Sequence, residues 1–241
     1  MVDVVGRQPV LEALRSGQEI NKIMLAKGQR QGSIREILAV AREQGIVVQE
    51  VERTVLDKLS DGTNHQGVLA QLAQIRYWEL TELLAKPRDP NWAPFLILLD
   101  GIQDPHNLGS IIRSCEALGA DGVVIPKRRA VGVTSTVMKS SAGAANHVPI
   151  CRVGNLVSSI EQLKEAGYWI IGADMAGEPC YTQDLTGPVA LVIGNEGSGI
   201  SRLVKEKCDF LSSIPMRGQI NSLNASVAAS LLMFEVVRQR S

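Results

Sequence analysis

The chain has no run of about eighteen apolar residues, the length a membrane-spanning helix needs. Aromatic residues are few: three Trp, three Tyr and three Phe in 241 residues. Four cysteines (Cys115, Cys151, Cys180 and Cys208) are scattered without a C-x-x-C pair, which fits thiols kept reduced in a cytosol better than a disulfide frame or zinc site. His65 lies in a polar loop, DGTNHQG, with no second His or Cys at metal-ligand spacing, so no metal is expected. The formal net charge is zero, so any affinity for nucleic acid must come from local patches. No G-x-x-x-x-G-K-S/T phosphate loop is present. The strand that should carry a G-x-G-x-x-G turn exits instead as DGIQDPHNLGS. GNEGSG, from Gly194 at the fourth predicted strand of the second half, has Glu196 inside it, and a carboxylate there would repel a pyrophosphate. Near the start, Asp3 and Arg7 interrupt the apolar stretch a secretory signal requires. These absences lead us to expect a soluble, cytoplasmic protein that engages neither membrane nor metal.

Apolar residues make up 45% of the chain, enough for a sizeable core. AKPRDPNWAP, from Ala85, sets three prolines among polar residues and breaks both helix and strand. This predicts an N-terminal domain over 1–75, a linker over 76–94 and a second domain over 95–241. In the first, KIMLA, IVVQEV and VLAQL read as strands. Helical spacing runs over 9–15 and 33–44, with Ile34, Ile37, Leu38 and Ala41 on one face. In the second, FLILLD, GVVIP, YWIIGAD, VALVIGN and FLSSIP read as near-continuous apolar strands separated by helical segments. That alternation predicts an α/β fold with a mostly parallel sheet covered by helices on both faces. The segment from about Asn224 to Arg238 is apolar almost all round, as in a helix buried on more than one side, so a second subunit is one source of cover.

Three strand exits concentrate polar and glycine residues: NLGSIIRSCEALGADG from Asn107, LVIGNEGSGIS from Leu191 and IPMRGQINSLNASVAASLL from Ile214. Ligands in open α/β sheets bind beyond the carboxyl ends of strands, so three such exits suggest one shared pocket. Asn107 is placed to cap a helix starting near Leu108, with Arg113 in its second turn beside the stripe Ile111, Ile112, Cys115 and Leu118. Glu196 sits at a sharp glycine-flanked turn; Ser222 and Asn224 precede the last helix, where capping alone would also explain them. Two basic groups are candidate phosphate contacts or solvated faces. One is Lys22, Lys27, Arg30, Arg35 and Arg42, opposed within that stretch by Glu36; the other is Lys127, Arg128 and Arg129.

Together the three blocks resemble the SpoU (TrmH-like) family of RNA ribose methyltransferases, in the SPOUT superfamily, and GRQPVLEAL from Gly6 resembles the start of its longer, ribosomal-RNA-directed members. The resemblance implies that Asn107, Arg113, Glu196, Ser222 and Asn224 form the catalytic pocket. It implies S-adenosylmethionine as methyl donor, held beside Gly194, Ile214 and Leu223, with Ile214, Met216 and Leu223 lining an apolar slot for adenine. A C-terminal trefoil knot, a homodimer and an N-terminal domain resembling ribosomal RNA-binding proteins are implied in the same way. So is a guanosine of large-subunit ribosomal RNA, naked or in a ribosome assembly intermediate, as substrate. The N-terminal domain, with Lys22, Lys27 and Arg30, would then present the RNA, and Lys127, Arg128 and Arg129 would add contacts. A guanidinium scarcely deprotonates. Arg113 is therefore read as a cation that holds a phosphate and stabilises charge developing on the ribose oxygen, with Glu196 orienting Arg113 or a water. The alternatives are a transfer-RNA ribose methyltransferase and a non-catalytic RNA-binding protein retaining the fold.

Overall fold

The computed structural model describes residues 3–86, 92–219 and 222–241. The chain divides into two compact units. The first holds residues up to Arg76 together with Gly132–Ser135; the second holds Tyr77–Val131 and Thr136–Ser241.

Among the described residues the first unit contains β1 (Asp3–Val5), α1 (Arg7–Arg15), β2 (Ile20–Ala26), α2 (Ser33–Glu43), β3 (Val48–Val51), α3 (Arg53–Leu59) and β4 (Val68–Leu72). The sheet order is β1-β4-β2-β3, with β2 parallel to β3 and antiparallel to β4. Alternation along β2 sends Ile23 and Leu25 to one face, against Val10, Leu14, Ile34 and Ile37 of α1 and α2. Met24 and Ala26 face the other side, against Leu56 of α3. Sequence reading found the three longer strands and the first two helices. It missed the three-residue β1 and the short α3, which are too brief to show a period.

The second unit contains α4 (Leu80–Ala85), β5 (Phe95–Asp100), α5 (Pro105–Ala117), β6 (Gly122–Pro126), α6 (Ser135–Ser140), β7 (Ile150–Val153), α7 (Leu156–Glu165), β8 (Trp169–Pro179), β9 (Val189–Gly194), α8 (Arg202–Lys205), β10 (Phe210–Ser213) and α9 (Ala225–Arg240), with the first residue of α6 grouped with the other unit. Its sheet order is β10-β8-β9-β5-β6-β7, and every neighbouring pair is parallel. Parallel strands need crossovers and are covered on both faces. Leu96, Leu98, Val124, Ile170 and Val192 pack against Leu80 and Leu83 of α4 and Ile160 and Leu163 of α7. On α5 and α9, Cys115 Sγ and Met233 Sδ lie 3.7 Å apart and Ser114 Oγ and Ser230 Oγ 2.8 Å apart.

Two sequence expectations change here. The stretch read as linker is in part structure: Leu80 and Leu83 of α4 are buried in the second unit's core, and Trp78 N donates to Ile150 O at 2.9 Å. The middle of that proline-rich stretch, 87–91, lies outside the described residues. The strand ICRV (β7) was not foreseen, since Arg152 interrupts its apolar run, so Gly194 ends the unit's fifth strand rather than its fourth.

Candidate active site

The irregular middle of β8 and the exits of β9 and β10 surround a cavity of about 400 Å³. Its lining includes the four residues expected to hold a cofactor, Gly194, Ile214, Met216 and Leu223, together with Glu196 and Ser222. Gly194 is required there by space: a Cβ on it would lie 2.2 Å from Gly199 C and 2.3 Å from Ile200 N. The chain doubles back across that contact, with Asn195 and Gly199 exchanging backbone hydrogen bonds at 3.1 and 2.8 Å. Asn195 holds the turn to the β5 exit, donating from Nδ2 to Gly101 O at 3.0 Å and accepting from Gly197 N at 2.9 Å.

Ala173, Asp174 and Met175 of β8 also line the cavity, and sequence reading missed them. The available signal was the polar ending of YWIIGAD, where β8 breaks register with β10 before running on to Pro179. Burial would raise the Asp174 pKa. The Lys205 ammonium at 2.7 Å and the Ala176 N–H at 2.9 Å outweigh that and hold it below the ordinary carboxylate range.

Glu196 joins the three sequence blocks. Its Oε1 accepts from Asn107 Nδ2 at 3.0 Å, from Ala225 N at 3.2 Å, and from Asn224 Nδ2. Asn224 Nδ2 also reaches Asn107 Oδ1 at 2.9 Å. Asn224 is the N-cap of α9, its Oδ1 accepting from Ser226 N at 3.0 Å and Val227 N at 3.4 Å. The Glu196 carboxylate therefore lies at the positive end of a sixteen-residue helix, where negative charge is favoured.

Three expectations are corrected by this geometry. Asn107 does not cap its helix: α5 begins at Pro105 behind Asp104, which accepts from His106 N at 2.8 Å, leaving Asn107 free to face Glu196. Starting at Pro105 also moves Arg113 into the third turn of α5. Finally, Glu196 is bonded to Asn107, Asn224 and Ala225 rather than to Arg113, which is exposed and absent from the cavity lining.

The basic residues behave differently in the two units. In the first, Lys27 pairs with Glu52 at 2.5 Å, Arg30 with Glu50 at 3.4 Å, and Lys22 donates to Gln49 at 3.3 Å. The acids come from β3 and the residue after it, so two of the five cations in a cluster read as opposed by Glu36 alone are paired with acids in space. Glu36 itself pairs with Arg15. In the same unit the start of α1 is tied to the His65 loop and to the end of β2, since Arg7 N donates to Gln66 Oε1 at 3.1 Å and Arg7 Nη2 to Gln29 Oε1 at 2.9 Å. His65 is 4% exposed, with Nε2 on Asp57 at 2.9 Å and Nδ1 accepting from Gly67 N at 2.9 Å, which shapes that loop. In the second unit Lys127 is half-buried at the exit of β6, and Arg128 and Arg129 are exposed beyond it. Among the described residues no group of three metal-ligating side chains comes together, and no helix is long and apolar enough to cross a membrane.

Comparison with known proteins gives matches over both units. The SpoU rRNA Methylase family matches residues 94–234, and the family described as RNA 2′-O ribose methyltransferase substrate binding matches 4–78. A Bacillus subtilis protein assigned to the TrmH family of tRNA/rRNA methyltransferases is 49% identical over 239 residues, covering 99% of this chain and 96% of the relative. The AdoMet-bound rRNA methyltransferase of Sinorhizobium meliloti has 27% identity and a TM-score of 0.62, covering 98% of this chain and 86% of that one. The TrmH/SpoU tRNA modifying enzyme of A. aeolicus has 29% identity and a TM-score of 0.57, covering 67% of this chain and 80% of that one.

Proposed function

The chain belongs to the SpoU rRNA Methylase family, and from that premise we propose that it methylates the ribose 2′-hydroxyl of a guanosine in large-subunit ribosomal RNA, with S-adenosylmethionine as donor. The observation that carries this reading is the Glu196 node, which gathers Asn107 and Asn224 from distant blocks beside the 400 Å³ cavity. The cavity suits the cofactor. It falls within the roughly 300–1,000 Å³ of small-molecule sites. Ile214, Met216 and Leu223 supply apolar surface, and Ser212 Oγ among the lining is buried without a hydrogen-bond partner. When bound, the cofactor supplies an electrophilic methyl group.

The chain's own residues do the rest. Gly194, Ile214 and Leu223 hold the donor. Glu196 and Asn107 fix Asn224, so that Asn224 and Ser222 orient the target nucleotide. Arg113 remains cationic, holds the neighbouring phosphate and stabilises negative charge growing on the ribose oxygen, while a phosphate oxygen or water takes the proton. A homodimer accounts for the position of Arg113. Val227, Leu231 and Phe234 of α9 are 46%, 44% and 55% exposed on one helix face, next to α5. A second copy docked there would bring its Arg113 to this chain's cavity. The trefoil knot belongs to the same reading, supported by the return of the chain from edge strand β10 to pack α9 on α5.

Ribosomal RNA is favoured over transfer RNA because the ribosomal neighbour spans both units, whereas the tRNA-modifying neighbour spans about the length of the second alone. On this reading residues 1–75 are the RNA-presenting domain, 95–241 carry the chemistry, and the enzyme works in the cytoplasm on ribosomal RNA or an assembling particle. Purified protein incubated with labelled S-adenosylmethionine and either unmodified large ribosomal RNA or a tRNA pool tests this. Label in ribosomal RNA that vanishes with Arg113→Ala supports it. Label confined to tRNA overturns the substrate, and protein that binds RNA without methylating it returns the reading to a non-catalytic binder.

A further inference from the structure

A second cavity, of about 260 Å³, lies at the exits of β6 and β7 and is polar where the first is apolar. Lys127 and Arg152 supply positive charge, Asn155, Ser158 and Gln162 supply hydrogen-bonding side chains, and Glu79 is the acid in the lining. Arg152 is held in place: its Nη2 donates to Lys127 O at 3.4 Å and its guanidinium lies 5.4 Å from the centroid of the Tyr77 ring. The start of α7 does not account for the pocket's character, because Asn155 Oδ1 already accepts from Val157 N and Ser158 N.

All six strands are parallel, so this pocket opens on the same edge of the sheet as the cavity at β8, β9 and β10. From β9 to β7 is three strand spacings, about 14 Å at ~4.8 Å each. The basic loop spans the interval. Lys127 starts in the pocket, Arg129 turns the chain with φ 58°, and Val131 N bonds Ile102 O at 3.0 Å beside the β5 exit. The two carboxylates of that exit are engaged, Asp100 with Ser201 N at 2.7 Å and Asp104 with His106 N.

We propose that the pocket at β6 and β7 holds a backbone phosphate of the RNA substrate, a few nucleotides along the chain from the methylated one, with Lys127 and Arg152 as its cationic wall. The inference rests on the RNA reading above and extends it to a site that sets affinity rather than chemistry. Two variants test it. Ser158→Asp places a carboxylate in the pocket, at a helix start where acidic residues favour the fold. Lys127→Gln removes one cation and keeps the backbone contacts.

RNA affinity is measured by filter binding of an unmodified large-subunit ribosomal RNA transcript and of a tRNA pool, alongside methylation kinetics and S-adenosylmethionine affinity. For each variant we expect RNA Kd and KM to rise about three- to tenfold, with kcat and cofactor affinity unchanged and thermal stability kept. The salt slope of binding should fall by about 0.7–0.9 for Lys127→Gln. Wild-type Kd and slope in both variants would overturn the proposal. So would loss of inorganic phosphate binding alone with RNA binding intact, which would mark a free-phosphate site. RNA that binds wild type and discriminates the variants without being methylated would overturn the enzymatic reading and leave the pocket standing; no RNA binding by wild type overturns both.

Discussion

Glu196 Oε1 receives three N–H donors, and its replacement separates charge from geometry. Glu196→Gln keeps one acceptor oxygen and should cost less than about 1 kcal/mol, whereas Glu196→Ala strands the half-paired Asn107 amide and should cost about 1–3 kcal/mol in thermal or denaturant unfolding. At Arg113, Arg113→Lys keeps the charge and loses the planar fork. Turnover should fall at least tenfold with cofactor affinity unchanged, and near-normal turnover would refute a bidentate hold on phosphate. The thiols make a pH prediction. Burial, helped by the charge of nearby carboxylates, pushes Cys151 up to about 12 and Cys208 up to about 11 from an ordinary 9.0. A raised folded pKa means its contribution to stability is complete below pH 9 and is lost as pH rises toward 11–12. Unfolding followed from pH 8 upward should therefore show an alkaline decline that Cys208→Ala makes shallower. Asn107 shows how far residue-level reading reached: the residue was singled out, but its contact with Glu196 was not, because the true cap, Asp104, lies three residues earlier.

At the scale of elements, the turn after β9 and the start of α9 decide whether the cavity exists. Gly194→Ala drives a Cβ into the backbone of Gly199 and Ile200, so neither side can yield without opening the turn. The fold should survive with a lower melting temperature, while cofactor binding measured by calorimetry should fall at least tenfold. The long apolar strands of the parallel sheet were legible because both faces are buried and the pattern is nearly continuous. β7 and α4 were not. One is a four-residue strand broken by Arg152, and the other is a six-residue helix whose two buried leucines fall next to a proline-rich stretch.

For the whole molecule, the exposed face of α9 predicts assembly. On the proposed dimer, wild type should sediment as two copies and Leu231→Glu combined with Phe234→Glu as one. If Arg113 serves the cavity of a second copy, methylation should be lost although each monomer keeps its cofactor cavity. A dimer that resists these changes would refute the interface. Charge balance is also a property of the whole. The first unit's basic cluster is opposed along its own stretch by Glu36 alone, yet β3 brings Glu50 and the following Glu52 alongside Arg30 and Lys27, so its phosphate affinity should be weaker than its sequence suggests.

The sequence by itself determined the α/β alternation, the two-part organisation, the family and the candidate site residues, because hydrophobic period and short polar strand exits are local signals. Only the tertiary structure decided which of those residues touch. The parallel sheet order β10-β8-β9-β5 carries Glu196 to Asn107 and Asn224 across separations of 89 and 28 residues while leaving Arg113 outside its own chain's cavity. Such contacts follow from strand order and from backbone approach at glycine, and neither is written in any single stretch of chain.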